Sequence, residues 1–175
     1  LWVLACGELY RSYIAEVREA ELLTRAQADV FAEFSVSTIK RINHVMLDLR
    51  GKWQGNWAAF DREVRQAQQN IDDLTFQVVV IDRNGRVAYS NLSKPDDPRP
   101  DLSEREHFQV HLKAPHADQL FISRPLLGKV SGKWSIQLTR PLSRGGRFDG
   151  VLVISLDPER FASFGSTMKL GEGCA

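Results

Sequence analysis

The chain of 175 residues has only two cysteines, Cys6 and Cys174, near its opposite ends. That excludes a disulfide framework, a CxxC redox pair and a thiolate zinc cluster. Charge of either sign is not in excess, with 23 Lys and Arg against 22 Asp and Glu. A chain so balanced has no electrostatic footprint for nucleic acid as a partner. Long apolar runs are missing as well. The run "LWVLAC", Leu1–Cys6, falls well short of the roughly 20 residues that span a bilayer. It fits either the end of a membrane-spanning helix or the apolar first turn of a helix. GxSxG, GxGxxG and a phosphate-cradling glycine loop are all absent. What remains is ordinary globular material, 43% hydrophobic and 26% charged, enough for one domain with a core.

Proline and glycine are also absent from Glu8 to Arg50. Apolar residues recur there at Tyr10, Tyr13, Ile14 and Val17, then Val30, Phe31 and Phe34, then Ile39, Ile42, Met46 and Leu49. Steps of three and four predict one long amphipathic helix. At 1.5 Å per residue it is about 60 Å long, more than one small lobe covers. Such a helix projects as a stalk or pairs in parallel with a second copy. "GKWQGNW" interrupts it, and a second helix follows over about Ala58–Ile71, with Asn56 placed to cap it.

At Leu74 the period changes. "TFQVVVID" reads as a buried strand, Asn84-Gly85 as a hairpin turn, and "VAYSN" as the returning strand. "LSKPDDPRP" is a loop, and "EREHFQVHL" a short helix. "QLFISRPLL", "KWSIQLTRPL" and "GVLVISLD" are three more strands, followed by a short helix that Pro158 opens. The order predicts an α+β fold, a long N-terminal helix before a five-stranded antiparallel sheet with flanking helices. The loop and short helix over one face leave space for a small ligand.

Several spaced motifs occur in a telling order: the long helix, "VVVIDRNGRVAYSN", "EREHF", "FISRPLLGKVSGKWSIQLTRPL" and "GRFDGVLVISLDPERFASF". Over roughly residues 10–165 the chain resembles the double Cache sensor domains, PAS-like extracytoplasmic modules of bacterial membrane receptors. The wording is most like that of modules on GGDEF diguanylate cyclases and on some histidine kinases. The resemblance implies a membrane-helix remnant at 1–6, a stalk helix and second helix over 7–73, and a membrane-distal PAS-like lobe over 74–165. Residues 166–175 would open a truncated membrane-proximal lobe. It further implies a non-enzymatic sensor on the periplasmic side of the inner membrane, without a cofactor, anchored in the full-length protein and dimeric through the N-terminal helix.

Catalytic readings fare poorly. His107 and His111 stand four apart, but "EHFQVH" is not HExxH and a third ligand is wanting. Asp96 and Asp97 sit in a Pro-rich loop with no apolar surround to raise a pKa. Ser131 and Ser135 have no evident base.

Binding is better supported. In amino-acid-binding Cache domains an "RxWY" arginine and aromatics hold the ligand. Here the matching run is "REHF", so Arg105 takes the arginine place, His107 that of the tryptophan and Phe108 that of the tyrosine. A guanidinium pairs bidentately with a carboxylate. The alternative for Arg105 is an ion pair with Glu104, Asp101 or a strand residue that pins the helix. The aspartate that holds the ligand amine in those receptors corresponds to Ser155 here, with Asp157 at the strand exit. That departure points to a small anionic ligand rather than an α-amino acid. Arg124, Tyr89 and Trp134 are further candidates, with ordinary packing as their alternative. Gln137 alternates in phase with Ser135 and Thr139, a polar stripe that lines the cavity or faces solvent. A ligand-free dimerisation or partner-docking module of a histidine kinase or chemoreceptor is the competing function.

Overall fold

The computed structural model describes residues 2–71 and 73–163, with side chains of residue 14 and from residue 16 on. The side chains of Leu1–Cys6 and the segment 166–175, with the expectations attached to them, lie outside the described residues. Among the described residues no helix is long and apolar enough to cross a membrane. The chain divides into two compact units. Leu1–Thr38 belongs to one and Ile39–Phe164 forms the other.

Helix α1 runs over Trp2–Lys52, 51 residues, longer at both ends than the periodicity predicts. From Glu16 to Glu33 its side chains are exposed all round. In the second unit Ile42, Met46 and Leu49 make a buried stripe at helical spacing. Arg50 and Lys52 in its last turn complement the helix dipole. Helix α2, Trp57–Gln68, starts where Asn56 Oδ1 accepts from the Ala59 N–H at 3.0 Å, the expected cap.

Strands β1 (Thr75–Asp82) and β2 (Val87–Ser90) form the predicted hairpin. Gly85 closes its turn at a φ of +84°, and a side chain there would collide with Ser103. Helix α3 is Glu106–Lys113. Strands β3 (Phe121–Ile122) and β4 (Leu126–Leu127) both pair with β5 (Trp134–Arg144), so they are one edge strand broken around Pro125. Strand β6 is Arg147–Leu156. The sheet is antiparallel, in the order β2-β1-β6-β5-β3. The last strand returns to lie beside the first, which places β1 and β6 at the centre.

The two faces have different jobs. Val78, Val80, Leu138, Leu152 and Ile154 point to the face that carries α1 and α2, where Arg140 meets Asn43 and Tyr89 meets Asp61. Val79, Ile81, Val87, Val151 and Val153 point the other way and form one apolar cluster with Leu102 and Phe108. That second face is incompletely covered by the short α3, and the remainder is where a cavity forms.

Candidate functional site

The site is built where α3 starts. Asp101 bridges to Arg86 on the hairpin, and the Leu102 N–H donates to the Gly85 carbonyl at 2.7 Å. Asp101 Oδ1 also accepts from the Ser103 N–H at 2.8 Å. These bonds fix the entry to α3, so Arg105 sits at its N-cap position in extended conformation, with its side chain free of capping duty. Along α3 the buried residues are His107, Phe108 and His111. Phe108 enters the apolar cluster and meets Phe148 edge-on at 5.9 Å. His111 Nε2 lies 2.8 Å from Thr139 Oγ1. His107 faces the cavity.

The floor of the cavity is a polar row across three strands. Gln77, Ser155 and Gln137 are in register on β1, β6 and β5. Ser155 Oγ donates to Gln137 Oε1 at 2.8 Å, Gln137 Nε2 to Ser135 Oγ at 2.7 Å, and Gln77 Nε2 to Ser90 Oγ at 3.2 Å. Leu126, Gly128, Lys129 and Val130 form the opposite wall. The cavity is partly open to solvent and its free space is about 30 Å³, room for water but not for an organic molecule without movement of that wall. A wider hollow of about 440 Å³ lies by Arg50, His116 and Asp118. Its cations are already engaged, since Asp118 accepts from both Arg50 and Arg140. The Arg50 hydrogen bond also holds the Asp118 carboxyl below its ordinary range.

In the smaller cavity the cations are not so engaged. Arg105 Nη2 donates to the Leu127 carbonyl at 3.3 Å and Lys129 Nζ to the Asp101 carbonyl at 2.9 Å. Among the described residues neither makes an ion pair, although the Lys129 charge is near enough to add to the Ser103 hydrogen bonding that holds the Asp101 carboxyl below its ordinary range. Among the described residues no Asp or Glu lines the cavity. Burial first, then the charge of Arg105, lowers His107 to a pKa of about 4, so its imidazole is neutral at pH 7. Its Nδ1 is buried without a hydrogen-bond partner.

The structure brings Arg105, His107, Gln137 and Ser155 to this cavity and leaves the other sequence candidates outside it. Phe108 is core. Tyr89 is on the opposite face, because it pairs with Val80 across a β-bulge. Its hydroxyl donates to Asp61 Oδ1 at 2.9 Å amid Trp53, Trp57 and Phe60. Arg124 is exposed at the break in the edge strand, next to Pro125. Trp134 is 65% exposed. Asp157 caps the helical turn at 158–163, accepting from the Glu159 and Arg160 N–H groups. Both α3 histidines are buried. Two polar lining residues were not singled out from the sequence, Gln77 and Lys129. Gln77 had a signal, a lone amide inside an apolar strand. Lys129 had none, because only the folded loop aims it.

No protein-family model and no curated protein sequence matches the chain. Solved structures do. The extracellular domain of rpHK1S-Z16, described as a histidine kinase, superposes with a TM-score of 0.69 at 30% identity, over 82% of this chain and 59% of that one. The sensory domain of the Campylobacter jejuni chemoreceptor Tlp3, with isoleucine bound, gives 0.61 at 17% identity, over 83% and 60%. The sensor domain of the V. cholerae histidine kinase DctB gives 0.61 at 20%, over 79% and 56%. The chain has the fold of these receptor sensor domains. It spans between half and two thirds of the length of each of them.

Proposed function

We propose that this chain is an extracytoplasmic, non-enzymatic sensing domain of a membrane-anchored signalling protein, and that it binds a small carboxylate in the α3 cavity. The observation behind the ligand class is the pair of cations at that cavity, Arg105 and Lys129, hydrogen-bonded to main-chain carbonyls, with no carboxylate among the described residues that line it. A carboxylate gives both a stronger, charge-assisted partner. Entry would break the Arg105–Leu127 and Lys129–Asp101 bonds and so displace the 126–130 wall, a local change that can be passed on. The sequence wording favours a diguanylate cyclase as the parent. The fold neighbours favour a histidine kinase or chemoreceptor at least as well, and residues beyond Ala175 would decide it.

Thermal-shift titration with small carboxylates tests the ligand. Arg105→Ala should weaken carboxylate binding by roughly ten- to a hundredfold, the worth of about 1.5–3 kcal/mol for a hydrogen bond to a charged group. Unchanged stabilisation of the variant would remove Arg105 from the site.

The competing reading is a ligand-free dimerisation or partner-docking module. Its dimerisation element is favoured by the exposed Leu22, Leu23, Val30 and Val36 on α1. Pairing is compatible with ligand binding, and we include a second copy of the chain, paired along α1, in the proposal.

A further inference from the structure

The His107 Nδ1 is the one buried side-chain polar atom among the described residues without a hydrogen-bond partner. The residue is 4% exposed, and it lines the cavity rather than the core. Leaving such an atom unpaired costs about 1–3 kcal/mol. Its neighbours cannot easily repair this, because Gln137 and Ser155 bond one another and Gln77 is turned to Ser90. A ligand can.

The rest of the lining says what sort of ligand. Arg105 and Lys129 supply positive charge, while Gln77, Gln137, Ser155 and the neutral His107 supply uncharged hydrogen-bonding groups. Among the described residues no acidic side chain lines the cavity to receive an ammonium. An α-amino acid would bring its amine into a space already holding two cations, with no countercharge, at a cost in both repulsion and desolvation. A purely aliphatic acid would satisfy the cations and leave Nδ1 unpaired. An oxygen next to the carboxylate meets both demands. A hydroxyl can donate to or accept from an imidazole nitrogen, and a carbonyl can accept from its N–H, according to the tautomer. The small volume, about 30 Å³ before any movement of the wall, favours short acids.

We infer that the cavity selects a short 2-hydroxy or 2-oxo carboxylate, its carboxylate held by Arg105 and Lys129 and its C2 oxygen by His107 Nδ1. This rests on the carboxylate-binding reading above and adds the group beside the carboxylate. Selectivity of this kind can be steep, because a site built to hydrogen-bond an oxygen rejects the analogue without it.

A matched three-carbon series tests it: lactate (both enantiomers), pyruvate, L-alanine and propionate, titrated calorimetrically into the 175-residue chain at pH 7. Lactate or pyruvate should bind at least about tenfold more tightly than L-alanine and propionate, the worth of about 1.4 kcal/mol. His107→Phe should bring the oxygenated acids down to the level of propionate. His107→Asn, whose amide can reach the Nδ1 position, should restore part of the preference and controls for folding. If L-alanine or propionate binds as tightly as lactate and pyruvate, the inference falls while the carboxylate reading stands. The same holds if His107→Phe keeps the wild-type preference. If none of the four, nor acetate or succinate, binds, the carboxylate reading falls and takes this inference with it.

Discussion

At the scale of single residues, His107 links stability to pH. Burial is the largest cause of its lowered pKa, followed by the charges of Arg105 and His111. The other groups facing it are Lys129, a cation, and the uncharged Gln77, Gln137 and Ser155. The unfolded chain takes up a proton on this imidazole near 6.5, the folded chain near 4. Between those values the unfolded state holds more protons, so a fall in pH favours unfolding. The stability lost is nil above about pH 7 and grows to about 3 kcal/mol near pH 4, at 1.36 kcal/mol for each pH unit between the two values. Burial lowers His111 as well, so it acts in the same direction. Melting temperature should therefore drop from pH 7 to pH 5 more steeply in the wild type than in His107→Asn. Parallel slopes would show that His107 is solvated and protonated in the fold. Side-chain roles were the part of the site least legible in the sequence. Arg105 and Gln137 could be picked by pattern, but Tyr89 could not be placed. A bulge in a four-residue strand decides which face it takes, and nothing local in "VAYSN" encodes that bulge.

Secondary-structure elements were far more legible, and for a physical reason. Their signals are local: the Asn56 cap, the Asn84-Gly85 turn, and the change of period at Leu74. Strand order is not local, and the return of β6 to the side of β1 shows in the structure alone. One residue makes that central pairing possible. Gly150 has a φ of +138°, and a Cβ there would run into the Ile81 carbonyl of β1. Any side chain must either strain β6 or push it from β1. Gly150→Ala should cost about 2 kcal/mol or more, from the backbone strain and overpacking together. That is a melting temperature lower by on the order of 5 °C. Gly55→Ala is the control, since its φ is also positive, +81°, but nothing lies within 4 Å of the added Cβ. Equal losses in the two variants would mean that the β1–β6 contact contributes nothing at this point.

At the scale of the whole molecule, the exposed stretch of α1 from Glu16 to Glu33 is a surface in want of a partner. Residues Ala20, Leu23, Gln27, Val30 and Phe34 follow the alternating three- and four-residue steps of a coiled-coil seam. Gln27 is its polar member, and a single polar residue in such a seam fixes register at some cost in stability. Leu23 is 58% exposed and Val30 47%. Isolated exposed apolar residues need no explanation, but several at seam spacing along one helix mark an interaction surface. The stretch Glu16–Glu33, exposed on every side, gains less from the tertiary packing that normally holds a helix together. A second copy, as proposed, would supply both, burying Leu23 and Val30 at roughly 1.5–3 kcal/mol for each side chain fully removed from water. Leu23→Glu with Val30→Glu places like charges in the seam and should turn a concentration-dependent dimer into a monomer in sedimentation equilibrium. The ligand cavity belongs to Ile39–Phe164, so the doubly substituted chain should still be stabilised by carboxylates. A wild type that stays monomeric across the dilution series would dismiss the seam, as would a variant that dimerises equally well.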